Sequence, residues 1–291
     1  MESFDLVCFG EVLYDVYETR KVLAGAPLNT ARFASFLGLK TGLISAIGNE
    51  QSAERIEQEL TNRNVEPFLQ RNNYSTGKAK IELDENKVPR FTIEQNSAYD
   101  HIQKTETLAN LAKNADFFYF GTLCQRNKES RNTLMELLSA RQTKTVYDVN
   151  LRRGIPSWES IVKNSLKYTS ILKMNEKESG KVKEITGCRN MKQLFDKTNL
   201  GYIFVTSGEK GAYLYQRNEK PYFMEAPEVN VVDTTGCGDA FTAALIYGFH
   251  ERLSGQRILE FAVDFASEVA QYEGAFNHEF LVKSKIKPVK A

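Results

Sequence analysis

Short apolar runs alternate along this chain with longer stretches in which apolar positions recur every three or four residues. Phe4-Asp5-Leu6-Val7-Cys8-Phe9-Gly10 reads as a buried strand that stops at a glycine. Thr41 to Ile47 is a second such run and ends at Gly48. Asp116–Phe120, Thr145–Val149, Ser170–Met174 and Tyr202–Thr206 have the same character. Between them, Asn29 to Leu37 carries helical periodicity and stops at Gly38, and Glu50 to Asn64 reads as a helix with a polar face. Strands alternating with helices predict a mostly parallel sheet covered on both faces. Ligands of such sheets bind beyond the carboxyl ends of the strands, so the residues just after the apolar runs hold the candidate chemistry.

Two stretches depart from this rhythm. Val12 to Leu23 lacks helical periodicity. Lys78 to Ile93 alternates, with Ala79, Ile81 and Leu83 against Lys80, Glu82 and Asp84, turns through Asp84-Glu85-Asn86-Lys87, and returns from Val88. That is a β-hairpin signal. The two pieces are read as a small sheet projecting from the main body as a lid; the plainer reading is surface loops with a hairpin. The division expected is a core of residues 1–11, 24–75 and 98–291 and a β-lid of residues 12–23 and 76–97.

Composition narrows the classes of function. The 291 residues suit one large α/β unit with an accessory piece. Lys plus Arg against Asp plus Glu is 38 against 37, and no basic stripe suggests nucleic acid. The start Met1-Glu2-Ser3-Phe4-Asp5 has no signal-peptide pattern, and the apolar stretch around Ala240–Phe249 is too short to span a bilayer. A cytoplasmic protein with no membrane partner is expected. Cys8, Cys124, Cys188 and Cys237 are scattered and read as free thiols. His101, His250 and His278 show no ligand spacing, so no His-based metal site is expected. Asn73-Tyr74-Ser75 fits a glycosylation sequon that, without a secretion signal, reads as chance.

The most informative segment is Val231-Val232-Asp233-Thr234-Thr235-Gly236-Cys237-Gly238-Asp239-Ala240-Phe241. An apolar run enters a turn of small residues, and from Asp239 an amphipathic helix is expected, with Phe241, Ala244, Leu245 and Phe249 on one side. A glycine turn opening a helix offers free N–H groups and the positive end of the helix dipole, a site for phosphate or a developing anion. A carboxylate at Asp239 beside that site suits a general base. Helix capping by Asp239 is the alternative. There is no third glycine for a dinucleotide fingerprint and no Walker A sequence.

Asp233-Thr-Thr-Gly-Cys-Gly-Asp239 resembles the D-T-x-G-x-G-D signature of ribokinase-like (PfkB-type) carbohydrate kinases. Ala24-Gly25-Ala26-Pro27-Leu28-Asn29-Thr30-Ala31, followed by Leu37-Gly38, resembles the G-G-A-P-x-N-x-A…L-G motif of the fructokinase branch. Collinear minor matches run through Gly10-Glu11, Asp15, Thr76-Gly77, Asp148-x-Asn150-x-Arg152, Asn175-x-x-Glu178, Thr206-x-Gly208-x-x-Gly211 and Gly274-Ala275. The resemblance therefore covers nearly the whole chain and implies a ribokinase-like α/β fold, with a Rossmann-like, mostly parallel central sheet, helices on both faces and a small β-sheet lid.

It also implies roles. Asp239 is the base for a sugar hydroxyl, and the N–H groups of Gly236, Cys237 and Gly238 stabilise the transferring phosphoryl group. Asp15, Gly25 and Asn29 hold sugar hydroxyls, and Arg152, with Arg153, faces substrate or phosphate. Asn175 and Glu178 sit near ATP and its Mg²⁺, with Glu178 acting through water. Thr206 and Gly208 border the nucleotide, and Val263 lies where adenine is lined. Asp233 and the Thr235 backbone resemble part of a monovalent-cation (K⁺) site. The lid implies closure over the sugar and a homodimer interface.

Plainer roles compete: Asp15 in a turn, Asn29 as a helix cap, Glu178 as a first-turn carboxylate, the arginines as solvated charges, Met174 as core. Ala24 in place of a glycine, Asn49-Glu50 in place of an Asp, Ala53 in place of a glycine, and Glu268 depart from the family pattern. Fructokinase activity is the leading expectation. A kinase for another sugar or for a sugar acid such as 2-keto-3-deoxygluconate is the second, with Arg152 or Arg153 binding the carboxylate. A catalytically silent sugar-binding protein is the third, and its signature, loss of Asp239 or the glycine turn, is missing from the sequence.

Overall fold

The apolar runs do assemble into one sheet, and the residues between them cover it. The computed structural model describes residues 3–51, 53–83, 89–140 and 143–284. In chain order come β1 (Leu6–Phe9), β2 (Leu13–Val16), β3 (Lys21–Ala24), α1 (Ala26–Phe36), β4 (Thr41–Ile47), α2 (Ala53–Thr61), β5 (Val65–Arg71), β6 (Gly77–Leu83) and β7 (Pro89–Ile93). Then follow α3 (Glu106–Asn114), β8 (Phe117–Gly121), α4 (Lys128–Ser139), β9 (Lys144–Asp148), α5 (Trp158–Leu166), β10 (Ile171–Asn175), α6 (Glu176–Thr186), α7 (Met191–Lys197) and β11 (Tyr202–Thr206). Last are β12 (Gly211–Gln216), β13 (Tyr222–Glu225), α8 (Cys237–His250), α9 (Gly255–Val269) and α10 (His278–Lys283).

The large sheet has nine strands in the order β13-β12-β11-β10-β9-β8-β1-β4-β5. From β11 to β5 every pairing is parallel, and β12 and β13 add an antiparallel edge. β1 lies inside the sheet between β8 and β4, and its four residues Leu-Val-Cys-Phe are all buried, as a strand covered on both faces requires. Alternate side chains feed opposite layers. Leu6 and Cys8 join the cluster built with α1, α8 and α9, while Val7 and Phe9 join the one built with α3, α4, α6 and α7.

α8 corrects one expectation. Every residue from Ala240 to Phe249 is buried, so the helix is enclosed on all sides rather than amphipathic. It is packed between the sheet, α1 and α9, which leaves no polar face to write into the sequence. The helix expected from Glu50 begins at Ala53, because the Glu50 side chain is engaged elsewhere: Oε1 accepts the Thr76 N–H (2.7 Å) and Oε2 the Thr76 hydroxyl (2.9 Å). The carboxylate beside the departure at Asn49 thus ties the loop after β4 to the foot of the second sheet.

That second sheet runs β3-β2-β6-β7. β2 pairs antiparallel with β3 and parallel with β6, and β6 pairs antiparallel with β7 from Ala79↔Ile93 onward. The alternation from Lys78 is therefore a hairpin; its expected turn at Asp84–Lys87, with Val88, lies outside the described residues. Ala24 belongs to the buried cluster under this sheet, with Leu13, Ala79 and Tyr99. The four cysteines are unpaired. No helix among the described residues is long and apolar enough to cross a membrane.

Candidate active site

The two sequence motifs meet where α1 and α8 begin. Gly25 caps α1 at φ 127°, and a Cβ there would stand 2.3 Å from the Glu11 carbonyl oxygen, so only glycine admits this turn. Pro27 sits in the first turn of α1, where its missing N–H costs nothing. Asn29 is already inside α1, with its N–H bonded to the Gly25 carbonyl (2.8 Å), so it does not cap the helix. Its side chain instead reaches across to α8, where Asn29 Nδ2 donates to Asp239 Oδ2 at 2.8 Å.

Gly236, at φ 82°, caps α8 without a side-chain hydrogen bond, and the helix opens at Cys237 rather than at Asp239. Asp239 stands in the first turn and is no cap. A Cβ on Gly236 would meet Ala275 Cα at 2.5 Å. Asp233 braces this turn: Oδ1 accepts the Thr235 N–H (2.8 Å) and Oδ2 the Gly274 N–H (2.9 Å). Gly274-Ala275 is thus packed against the glycine turn from behind.

Three carboxyls converge near this point. Burial pushes Asp239 up to about 7; the Asn29 hydrogen bond works against the rise, Asp148 adds to it, and Lys173 and Arg152 oppose it. Burial likewise raises Glu11 to about 7 and the half-buried Asp15, on β2, to about 6. Arg152 lies close enough that its charge lowers all three. Glu11 Oε2 has no hydrogen-bond partner among the described residues. Arg126, also near Glu11, is already bound to Asp100 through Nε (2.8 Å) and Nη2 (2.7 Å). Arg153 is exposed.

Asn175 and Glu178 lie at the end of β10 and the start of α6, joined in a reciprocal capping box. Glu178 Oε2 accepts the Asn175 N–H (2.8 Å), Oε1 accepts the Leu151 N–H (2.7 Å), and Asn175 Oδ1 accepts the Glu178 N–H (2.9 Å). Each Glu178 oxygen, with one N–H bound, keeps a second lone pair. Those acceptors fit the water shell of a hydrated Mg²⁺, which gives up its waters reluctantly. Asp233, with one N–H on each oxygen, likewise keeps a lone pair on each for a K⁺.

Thr206, Gly208, Cys237 and Gly238 line one cavity of about 1080 Å³, together with Phe241, Val263 and Ala266. Met174 is core. Glu268 accepts from Gln271 Nε2 (3.3 Å) and lies 3.5 Å from the Tyr272 hydroxyl, a local role on α9. Elsewhere, Asp5, Asp116 and His250 have ligand atoms within 4.8 Å of one another, although the Lys40 N–H already occupies Asp5 Oδ2. That grouping lies at the amino ends of β1 and β8, at the other end of α8 from the glycine turn.

Three residues in the site went unassigned from sequence: Glu11, Asp148 and Lys173. Asp148 and Lys173 form a buried ion pair, Oδ2 to Nζ 3.0 Å. A charged residue inside the apolar run Ile171-Leu172-Lys173-Met174 was the available signal.

The chain is 29% identical over 269 residues to the uncharacterized sugar kinase PH1459 of Pyrococcus horikoshii, covering 89% of this chain and 82% of that one. A crystal structure of PH1459 in complex with ATP superposes with a TM-score of 0.80 at 28% identity over 93% of both chains. Probable fructokinase-7 of Arabidopsis thaliana is 26% identical over 267 residues, 83% of this chain and 77% of that one. The fructokinase of Xylella fastidiosa, solved with bound ATP, shares the fold with a TM-score of 0.81 at 18% identity over 93% of both chains. The model of the pfkB family carbohydrate kinases matches residues 2–279, and with nearly its whole length inside that match the chain belongs to the pfkB family.

Proposed function

We propose that this chain transfers the γ-phosphate of ATP to a hydroxyl of a neutral ketose, with fructose the leading substrate. The observation that carries the reading is the Asn29–Asp239 hydrogen bond at the glycine turn, which brings a candidate sugar ligand and a candidate base into contact. In this reading Asp239 takes the hydroxyl proton as the sugar oxygen attacks phosphorus, and the N–H groups of Gly236 and Gly238 receive the charge of the phosphoryl group; the Cys237 N–H, expected to join them, donates instead to the Thr234 carbonyl at 3.2 Å. Asp15, Gly25 and Asn29 hold the sugar. Thr206 and Gly208 border the nucleotide in the cavity beside the turn, and Val263 lines the purine. Mg²⁺ supplies charge neutralisation on the phosphates. Glu178 and Asn175 would hold its waters, and Asp233 and Thr235 would take K⁺. Residues 12–23 and 76–97 act as a lid that excludes water, and the lid sheet, where Val22 is exposed, pairs two chains.

Charge supports a neutral substrate. Glu11, Asp15 and Asp239 face one guanidinium, Arg152, because Arg126 is committed to Asp100. Carboxylates accept hydroxyl hydrogens and repel a second anion. A specific observation favours a second reading, a sugar acid: Arg152 stands among those carboxylates and is exposed enough to bind a substrate carboxylate.

The test is ADP release from Mg-ATP across a sugar panel that includes fructose and 2-keto-3-deoxygluconate, with KCl present. Turnover with fructose supports the first reading, and turnover with only the acid moves the assignment to Arg152. Asp239→Asn is expected to keep ATP binding and lose about 10²–10⁴-fold in kcat. Near-normal turnover in that variant sinks the proposal.

A further inference from the structure

Lys173 lies on β10 between two core residues, and its side chain is 8% exposed. An ammonium in such surroundings is costly unless paired. Its partner is Asp148 at the end of β9, Oδ2 to Nζ 3.0 Å, itself 1% exposed. A buried ion pair is weak evidence of stabilisation, since apolar residues of the same volume commonly do as well. Two further observations turn the pair toward chemistry. A Cβ on Gly238 would stand 3.1 Å from Lys173 Nζ, so the bare glycine is what lets the ammonium press against the phosphate-binding turn. Only one of the three ammonium hydrogens is used by Asp148, and Asp148 Oδ1 has no partner among the described residues.

We propose that Lys173 is a catalytic residue whose ammonium donates to the phosphoryl group in flight, with Asp148 as its positioning residue. The inference rests on the phosphoryl transfer proposed above. In the step, the sugar oxygen forms a bond to Pγ and its proton goes to Asp239. The bond from Pγ to the oxygen bridging it to Pβ breaks, and ADP leaves with that electron pair. Lys173 stays protonated throughout. It meets charge spread over the equatorial oxygens of a loose transition state, while the Gly236 and Gly238 N–H groups meet it from the turn.

Lys173→Met alone strands a buried Asp148 carboxylate and is expected to lower Tm. The informative variant is Lys173→Met with Asp148→Asn, which removes both charges together. Lys173 and Asp148 pull the Asp239 carboxyl in opposite directions, so losing both leaves its titration near its place. The double variant is expected to regain Tm, to keep ATP Kd and sugar KM within about threefold, and to lose about 10²–10³-fold in kcat. A merely structural pair would let kcat recover with Tm; a folded double variant within about threefold of wild-type kcat overturns the inference. Asp239→Asn, run alongside, separates the two ideas. If it is inactive while the double variant turns over, only the Lys173 role fails. If it also turns over normally, the site reading fails with it.

Discussion

Asp239 ionises reluctantly, and that reluctance has a measurable consequence. Burial, first of all, places its carboxyl at about 7, against an ordinary value near 4 in an unfolded chain. Between those values the unfolded chain has released a proton that the folded chain keeps, so stability falls as pH rises from about 4 to about 7. For one such group the loss is at most about 4 kcal/mol. Asp239→Asn removes the ionisation and keeps an oxygen for Asn29 Nδ2. Thermal melts should match wild type near pH 4 and exceed it by several degrees at pH 8. A variant that melts lower at pH 8 would contradict this account. The same titration predicts that kcat/KM of the wild-type enzyme falls below about pH 7, where the base is protonated. Asp239 was legible because its motif is contiguous. The partner that distinguishes a base from a helix cap, Asn29, is far away in sequence and entered only with the fold.

The glycine turn is where local chain geometry and function coincide. Gly236 combines a left-handed φ of 82° with a Cβ position 2.5 Å from Ala275 Cα. Gly38, after α1, has φ 98° and nothing within 4 Å. Both positions strain an alanine, by about 1–3 kcal/mol, but only Gly236→Ala also displaces the turn. Urea titration should find both variants destabilised, with kcat preserved in Gly38→Ala and lost in Gly236→Ala. Equal kcat in the two would remove the turn from the mechanism. The strands at Thr41–Ile47 and Tyr202–Thr206 have the bounds read from sequence, because strands buried along most of their length are apolar runs closed by small residues. α8 was misjudged in character for the same reason. Enclosure on all sides erases the periodicity that marks a helix face.

The small sheet leaves and rejoins the core at four points: after β1, before α1, after β5 and before Ala98. Its attachment beside Gly10 and Gly25 sets it over the carboxyl end of β1. If it closes on substrate, amide hydrogen exchange in β2, β3, β6 and β7 should slow when sugar and a non-hydrolysable ATP analogue bind together. Unchanged exchange there would argue for a fixed flap. The strand–helix alternation, the pairing of the hairpin strands and the glycine turn were readable along the chain, since each depends on neighbours within a few residues. The Asn29–Asp239 contact, the convergence of Glu11, Asp15 and Arg152, and the Asp148–Lys173 pair against Gly238 were decided by tertiary structure. Each joins residues carried by different strands or helices, and a parallel sheet brings such residues together only once its strand order is set.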